Sequence, residues 1–124
     1  DVHRALDLVQ SNFSRISIDL IFGAPHETLL DWQQDLMLAL QSQVGHVSTY
    51  GLTYEKGAVI WSQREKGLLQ PVSEDTELAM YIATIDHLSQ ASWNHYEVSN
   101  FAKPGQECIH NQAYWLGQPW LAFG

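Results

Sequence analysis

Six lysines and arginines stand against fourteen aspartates and glutamates, a formal net charge of −8. Clustered cations supply much of the affinity for a phosphate backbone, so this shortage argues against nucleic acid as a partner. It equally disfavours an anionic membrane surface. Long apolar runs are missing as well: none approaches the roughly 18 residues of a spanning helix. The opening DVHRALDLVQ has neither the basic start nor the apolar block of a secretory signal. The one cysteine, Cys108, cannot close an internal disulfide, which makes a reducing compartment, the cytoplasm, the default location. There is no phosphate-cradling P-loop, no G-x-G-x-x-G and no G-x-S-x-G elbow. Cys108 follows Glu107, whose charge would not help form a thiolate, so it is a poor candidate for a nucleophile.

What is present is an ordinary globular composition. Hydrophobic residues make up 45% of 124, enough for one domain with a single core. The segment RISIDLIFG (15–23) alternates, with Ile16, Ile18, Leu20 and Phe22 on one face and Ser17, Asp19 and Ile21 on the other. It predicts a strand that ends in the turn Gly23-Ala24-Pro25. A helix is expected over 28–44, with Thr28 as N-cap, Asp31 three residues on, and a buried stripe of Leu29, Trp32, Leu36, Leu40 and Val44. HVSTYGLTYE (46–55) predicts a second strand, 56–72 a loop, and 73–91 a helix capped by Ser73 with a stripe of Leu78, Tyr81, Ile82, Ile85 and Leu88. HYEVSNF (95–101) is a third, shorter strand candidate. Alternating helices and strands predict an α/β fold of parallel βα units. The abrupt helical start and the apolar end at PWLAFG read as a piece of a longer protein.

Ligands of such folds meet the C-terminal ends of the strands. Asp19 would face away from the helices among apolar neighbours and would therefore need a partner. Hydrogen-bond donors of a neighbouring strand or loop are one choice, a ligand hydroxyl or amine another. Carboxylates at 27, 31, 35, 74, 75 and 77 fall on helix starts or exposed faces, where solvation explains them. Cys108 and His110 form a C-x-H pair, too little for zinc, which needs four ligands in two spaced pairs. An exposed loop histidine is the plain reading of His110. Haem iron commonly takes an axial histidine beside apolar and aromatic surface, and Tyr114, Trp115 and Trp120 would supply such a surface. Aromatics also make good core residues.

SIDLIFGAPHETLLDW and YGLTYEKGAVI resemble segments of radical S-adenosylmethionine (SAM) proteins related to oxygen-independent coproporphyrinogen III oxidase. YEVSNFAKPGQECIHNQAYW closely resembles the HemW branch, with its H-N-x-x-Y-W motif at 110–115. The resemblance runs in order over essentially the whole chain. It implies part of a partial (βα)6 barrel over about 1–95, running into the motif region over about 96–124. It further implies a 4Fe–4S cluster and SAM as cofactors of the full-length protein, with Asp19, Ile21, Leu52 and Thr53 contacting SAM. His110 would contact haem, as ligand to its iron, with Asn111, Tyr114 and Trp115 completing the site. The implied role is a haem chaperone that passes haem to apo-haemoproteins of the respiratory chain, with room for a homodimer. Coproporphyrinogen III oxidation is the enzymatic alternative, a non-catalytic structural fragment the third. The cluster cysteines are not in this segment, so alone it should be inactive. Ala24 stands where the family has Leu, and His26-Glu27 where it has a residue followed by Gln.

Overall fold

The computed structural model describes residues 2–119 and 121. Helix α1, Val2–Gln10, leads into strand β1, Ser17–Phe22, and helix α2, Leu29–Gln41. Strand β2, His46–Gly51, is followed by a short helix α3, Val59–Glu65, and the long helix α4, Glu74–Gln90. Two short strands, β3 (Asn94–His95) and β4 (Asn100–Ala102), precede helix α5, Ile109–Trp115. The sheet order is β1-β2-β4-β3.

β1 and β2 pair in parallel, Ser17 opposite His46 through Phe22 opposite Gly51. The predicted third parallel strand is corrected: residues 94–102 form a hairpin, and β4 runs antiparallel to β2. The reason is local. The Glu97 carboxylate accepts from the Ser99 amide at 2.8 Å and from the Asn100 side chain, which closes a turn in a stretch of strand-forming residues. The predicted loop at 56–72 is corrected too, since α3 occupies its first half between turns at Gly57 and Gly67, both of positive φ.

Helix α2 forms as its sequence dictates. The Asp31 amide donates to Thr28 Oγ1 and the Asp31 carboxylate accepts from the Thr28 amide, a reciprocal capping box. These bonds to Thr28 hold the Asp31 carboxyl below its ordinary value. Trp32 and Leu36 are fully buried against Phe22 and Met80. The indole N–H of Trp32 donates to Met80 O at 3.0 Å and Thr84 Oγ1 at 2.9 Å. That contact selects the buried face of α4, which is Met80, Ala83, Thr84 and Leu88. Of the predicted α4 stripe only Leu88 is buried; Leu78 and Ile82 are exposed, Tyr81 and Ile85 half-buried. A second core cluster joins Ala39, Val44, Val47, Leu88, Trp93 and Phe101, with Ile18 and Leu20 of β1 packed against it.

Both core clusters lie on one side of the sheet. β1 shows the predicted alternation: Ile18, Leu20 and Phe22 face the helices, while Ser17, Asp19 and Ile21 are exposed on the other face. Register extends that second face across the sheet, through Ser17–His46–Ala102, Asp19–Ser48–Asn100 and Ile21–Tyr50. It is on this face that Asp19 and Ile21, two of the residues expected at SAM, lie.

Candidate functional site

At the C-terminal end of the parallel pair, Ile21 and Tyr50 are neighbours and both exposed. Leu52 and Thr53 follow β2 directly at the same end. The Leu52 amide donates to Phe22 O at 2.8 Å, which ties the two strand ends together. Beyond β1, Glu27 Oε2 accepts from the Gly23 and Ala24 amides at 2.7 and 2.9 Å. Gly23 turns at φ 83 and His26 at φ 67, so the strand-end turn is held by one carboxylate and one left-handed glycine. A glutamine in place of Glu27 could accept the same two bonds through its single carbonyl oxygen.

Three of the four residues expected at SAM therefore gather at one rim, while Asp19 lies one row inward, opposite Ser48. Asp19 is exposed and does not require the buried partner that its apolar neighbours had implied. Two strands over in the same row, beyond Ser48, Asn100 is only 5% exposed, and its Oδ1 lacks a hydrogen-bond partner. A row of an exposed carboxylate, a hydroxyl and an orphaned acceptor suits a ligand that brings donors, such as an ammonium or ribose hydroxyls. The face thus fits SAM. A cluster does not fit this segment: Cys108 is its one cysteine, and among the described residues no group of three His, Cys, Asp or Glu could hold a metal ion.

The opposite end of the sheet is closed by the chain leading into α5. Arg15, just before β1, donates to Gly105 O at 2.9 Å. Gln106 packs on Gly45, just before β2, so closely that a Cβ there would lie 2.9 Å from its side-chain oxygen. Between them lies a cavity of about 260 Å³ lined by Ile16, Ser17, His46 and Cys108, among others. His46, only 4% exposed, bonds Ser17 Oγ through Nδ1 at 2.6 Å and the Tyr96 hydroxyl through Nε2 at 2.5 Å. The Tyr96 hydroxyl in turn accepts from the Cys108 amide at 3.2 Å. Burial pushes the His46 pKa down, opposed by the charges of Asp19, Glu97 and Glu107; burial pushes the Tyr96 phenol up.

This His46–Tyr96 pair is what sequence reasoning missed. Its signal was there in HVSTYG, where alternation puts His46, Ser48 and Tyr50 on the same face as Asp19. The partner Tyr96, fifty residues on, was not legible.

The four residues expected at haem divide between two faces of α5. At about 100° per residue, His110 and Tyr114 share one face, and Asn111 and Trp115 the next. His110 and Tyr114 are both exposed, their rings 5.3 Å apart and edge-on. Trp115, itself exposed, lies 5.9 Å from the Tyr96 ring, and Asn111 lies on the Tyr96 side of the helix. The aromatic surface expected at 114, 115 and 120 can be placed at Tyr114 and Trp115; Trp120 lies outside the described residues. Exposed Ile109 and Leu116 extend the apolar surface of this short helix. An exposed imidazole amid apolar and aromatic side chains fits a porphyrin. The SAM set and the haem set do not converge. α5 begins beside the N-terminal ends of β1 and β2, roughly 17 Å along the strands from the rim that holds Ile21, Leu52 and Thr53.

No family profile matches the chain. It is similar to Heme chaperone HemW of Synechocystis, 36% identical over all of this chain and 30% of that protein. It is similar also to Heme chaperone HemW of Lactococcus lactis, 37% identical over 94% of this chain and 31% of that one. The chain thus spans about a third of the length of these curated relatives. Among solved structures its fold matches coproporphyrinogen III oxidase (HemN) of Escherichia coli, a radical SAM enzyme, with a TM-score of 0.72, 20% identity, and coverage of 94% of this chain and 26% of that one. That likeness bears out the α/β fold expected from the resemblance, with β4 turned antiparallel. The chain is thus a homologue of the HemW-type proteins of the radical SAM family, matching a segment of about a third of their length.

Proposed function

We propose that the chain is the haem-carrying part of a HemW-type haem chaperone, with haem as cargo. The observation that carries this reading is α5: an exposed His110, edge-on to an exposed Tyr114, on a short helix tied to Tyr96 through the Cys108 amide and the ring of Trp115. His110 supplies an imidazole nitrogen to the haem iron. Tyr114, with neighbouring apolar side chains, covers part of the porphyrin face. Asn111 and Trp115 lie on the side of the helix that meets Tyr96. An open, solvent-facing platform suits transfer to apo-haemoproteins, since cargo bound at a surface can be reached by an acceptor.

The other end of the sheet is the SAM end. Asp19 and Asn100 Oδ1 would accept from donor groups of SAM, and Ile21, Leu52 and Thr53 would line its rim. In radical SAM proteins a cluster-bound SAM supplies a carbon-centred radical, and the residues of this segment contain no ligand set for that cluster. Residues 1–95 then serve as the barrel part and 96–124 as the haem part. Coproporphyrinogen oxidation is less well supported. Of the six Lys and Arg, Arg15 is bound to Gly105 O, Arg64 lies over Tyr54 and Lys103 over Trp93, which leaves few cations for the propionates of that substrate.

The test is haemin titration of the full-length protein, followed by the Soret band. His110→Ala should remove the shifted band and weaken binding by at least tenfold. An unchanged band and affinity would show that His110 is not the ligand.

A further inference from the structure

Two polar groups lie where the sheet meets α5, the buried imidazole of His46 and the hydroxyl of half-buried Tyr96, and haem carriage by His110 and Tyr114 uses neither. They belong to one chain of contacts, from Ser17 Oγ to His46 Nδ1 at 2.6 Å, from His46 Nε2 to the Tyr96 hydroxyl at 2.5 Å, and from the Cys108 amide to that hydroxyl at 3.2 Å. Cys108 is the N-cap of α5 and makes no side-chain capping bond of its own. The amides of a helix start have no partner within the helix. The Tyr96 hydroxyl takes over that duty from across the sheet.

We propose that His46 and Tyr96 are positioning residues for haem binding: with Ser17 they form a relay that fixes the start of α5, and so the orientation in which His110 and Tyr114 are presented. The inference rests on the reading of α5 as the haem-carrying helix. The relay has four anchors from separate parts of the chain. Ser17 is on β1, His46 on β2, Tyr96 in the hairpin turn and Cys108 at the head of α5. The Tyr96 ring also meets Trp115 in the last turn of α5, at 5.9 Å. One side chain thus touches both ends of a seven-residue helix. A helix this short has little stability of its own, so its docking must come from such contacts.

The geometry also sets which substitutions preserve the relay. The amide of a glutamine reaches the place of the imidazole Nε2, and that of an asparagine the place of Nδ1. His46→Gln therefore keeps the bond to Tyr96, and His46→Asn loses it.

The experiment combines amide hydrogen exchange over 108–115 with haemin titration on the full-length protein. Tyr96→Phe and His46→Asn should speed exchange in that segment about fivefold, the effect of one lost hydrogen bond. They should weaken haemin binding by a similar factor while the Soret signature of histidine ligation persists. His46→Gln should restore both readings. Ser17→Ala, at an exposed position that leaves the core intact, should show the same trend more weakly and serves if the buried variants fail to fold. Exchange that stays unchanged in Tyr96→Phe would overturn the relay. Faster exchange with unaltered haemin affinity would overturn its positioning role. If His110→Ala instead leaves haemin binding intact, the haem reading fails, and the exchange data still decide whether the relay holds α5.

Discussion

His46 shows most clearly how a single residue couples fold to site. Its burial favours the neutral imidazole, so the folded chain binds fewer protons there than the unfolded chain does. The groups around it are Ser17 and Asp19 from β1, Tyr96 and Glu97 from the hairpin, and Glu107 and Cys108 ahead of α5. The three carboxylates favour the charged form, but burial outweighs them. The stability this neutral histidine supports is fully present above the ordinary imidazole value of about 6.5. It is lost as pH falls below that value toward the lowered one in the fold. Urea midpoints measured on either side of neutrality should therefore drop on the acid side, and His46→Gln should flatten the drop. An equal acid sensitivity in His46→Gln would assign it to other groups. Asp19 offers the contrast. The alternation of β1 was legible, and so was the face Asp19 occupies. That this face stays open to solvent there was not, because exposure depends on what lies across the sheet.

Among the elements, α2 was the most legible. Thr28 and Asp31 announce its start within four residues, and Trp32 and Leu36 point one way from the first turn. α4 was harder to read because its apolar residues occupy two arcs. Leu78, Ile82 and Ile85 compete with Met80, Ala83 and Leu88, and the Trp32 indole of α2 decides between them by bonding to Met80 and Thr84. Trp32→Phe, which keeps most of the apolar bulk but leaves Met80 O and Thr84 Oγ1 without that donor, should cost about 1–3 kcal/mol. Leu36→Ala, at a side chain with no exposure, should cost about 2–5 kcal/mol. Chemical denaturation measures both; a loss near zero for Leu36→Ala would mean the two helices do not pack as described. The hairpin at 94–102 was misread as one strand because Tyr96, Val98 and Phe101 all favour strands. The turn is imposed by Glu97, whose reach to Ser99 and Asn100 no propensity scale contains.

The whole molecule is a sheet covered by helices on one face and only partly covered on the other. β1 is an edge strand, and Ile21 and Tyr50 beside it are exposed apolar surface. Unpaired edges and exposed apolar side chains invite pairing between copies. The 124-residue chain on its own should self-associate in sedimentation experiments as its concentration rises, and Ile21→Lys should reduce this; a monodisperse monomer at all concentrations would contradict it. The same open face separates the two groups of expected site residues, with Ile21, Leu52 and Thr53 at one end and α5 at the other. The order of these residues along the chain was evident from its motifs, but their position at opposite strand ends, and the division of H-N-x-x-Y-W between His110 beside Tyr114 and Trp115 beside Tyr96, needed the structure.

The central claim is that His110 itself binds haem iron. Resonance Raman spectroscopy of the ferrous haem complex, with histidine labelled by nitrogen-15, tests it most directly. An isotope-sensitive iron–histidine band is expected in the native protein and should be gone in His110→Ala. The same band persisting in His110→Ala would contradict the claim.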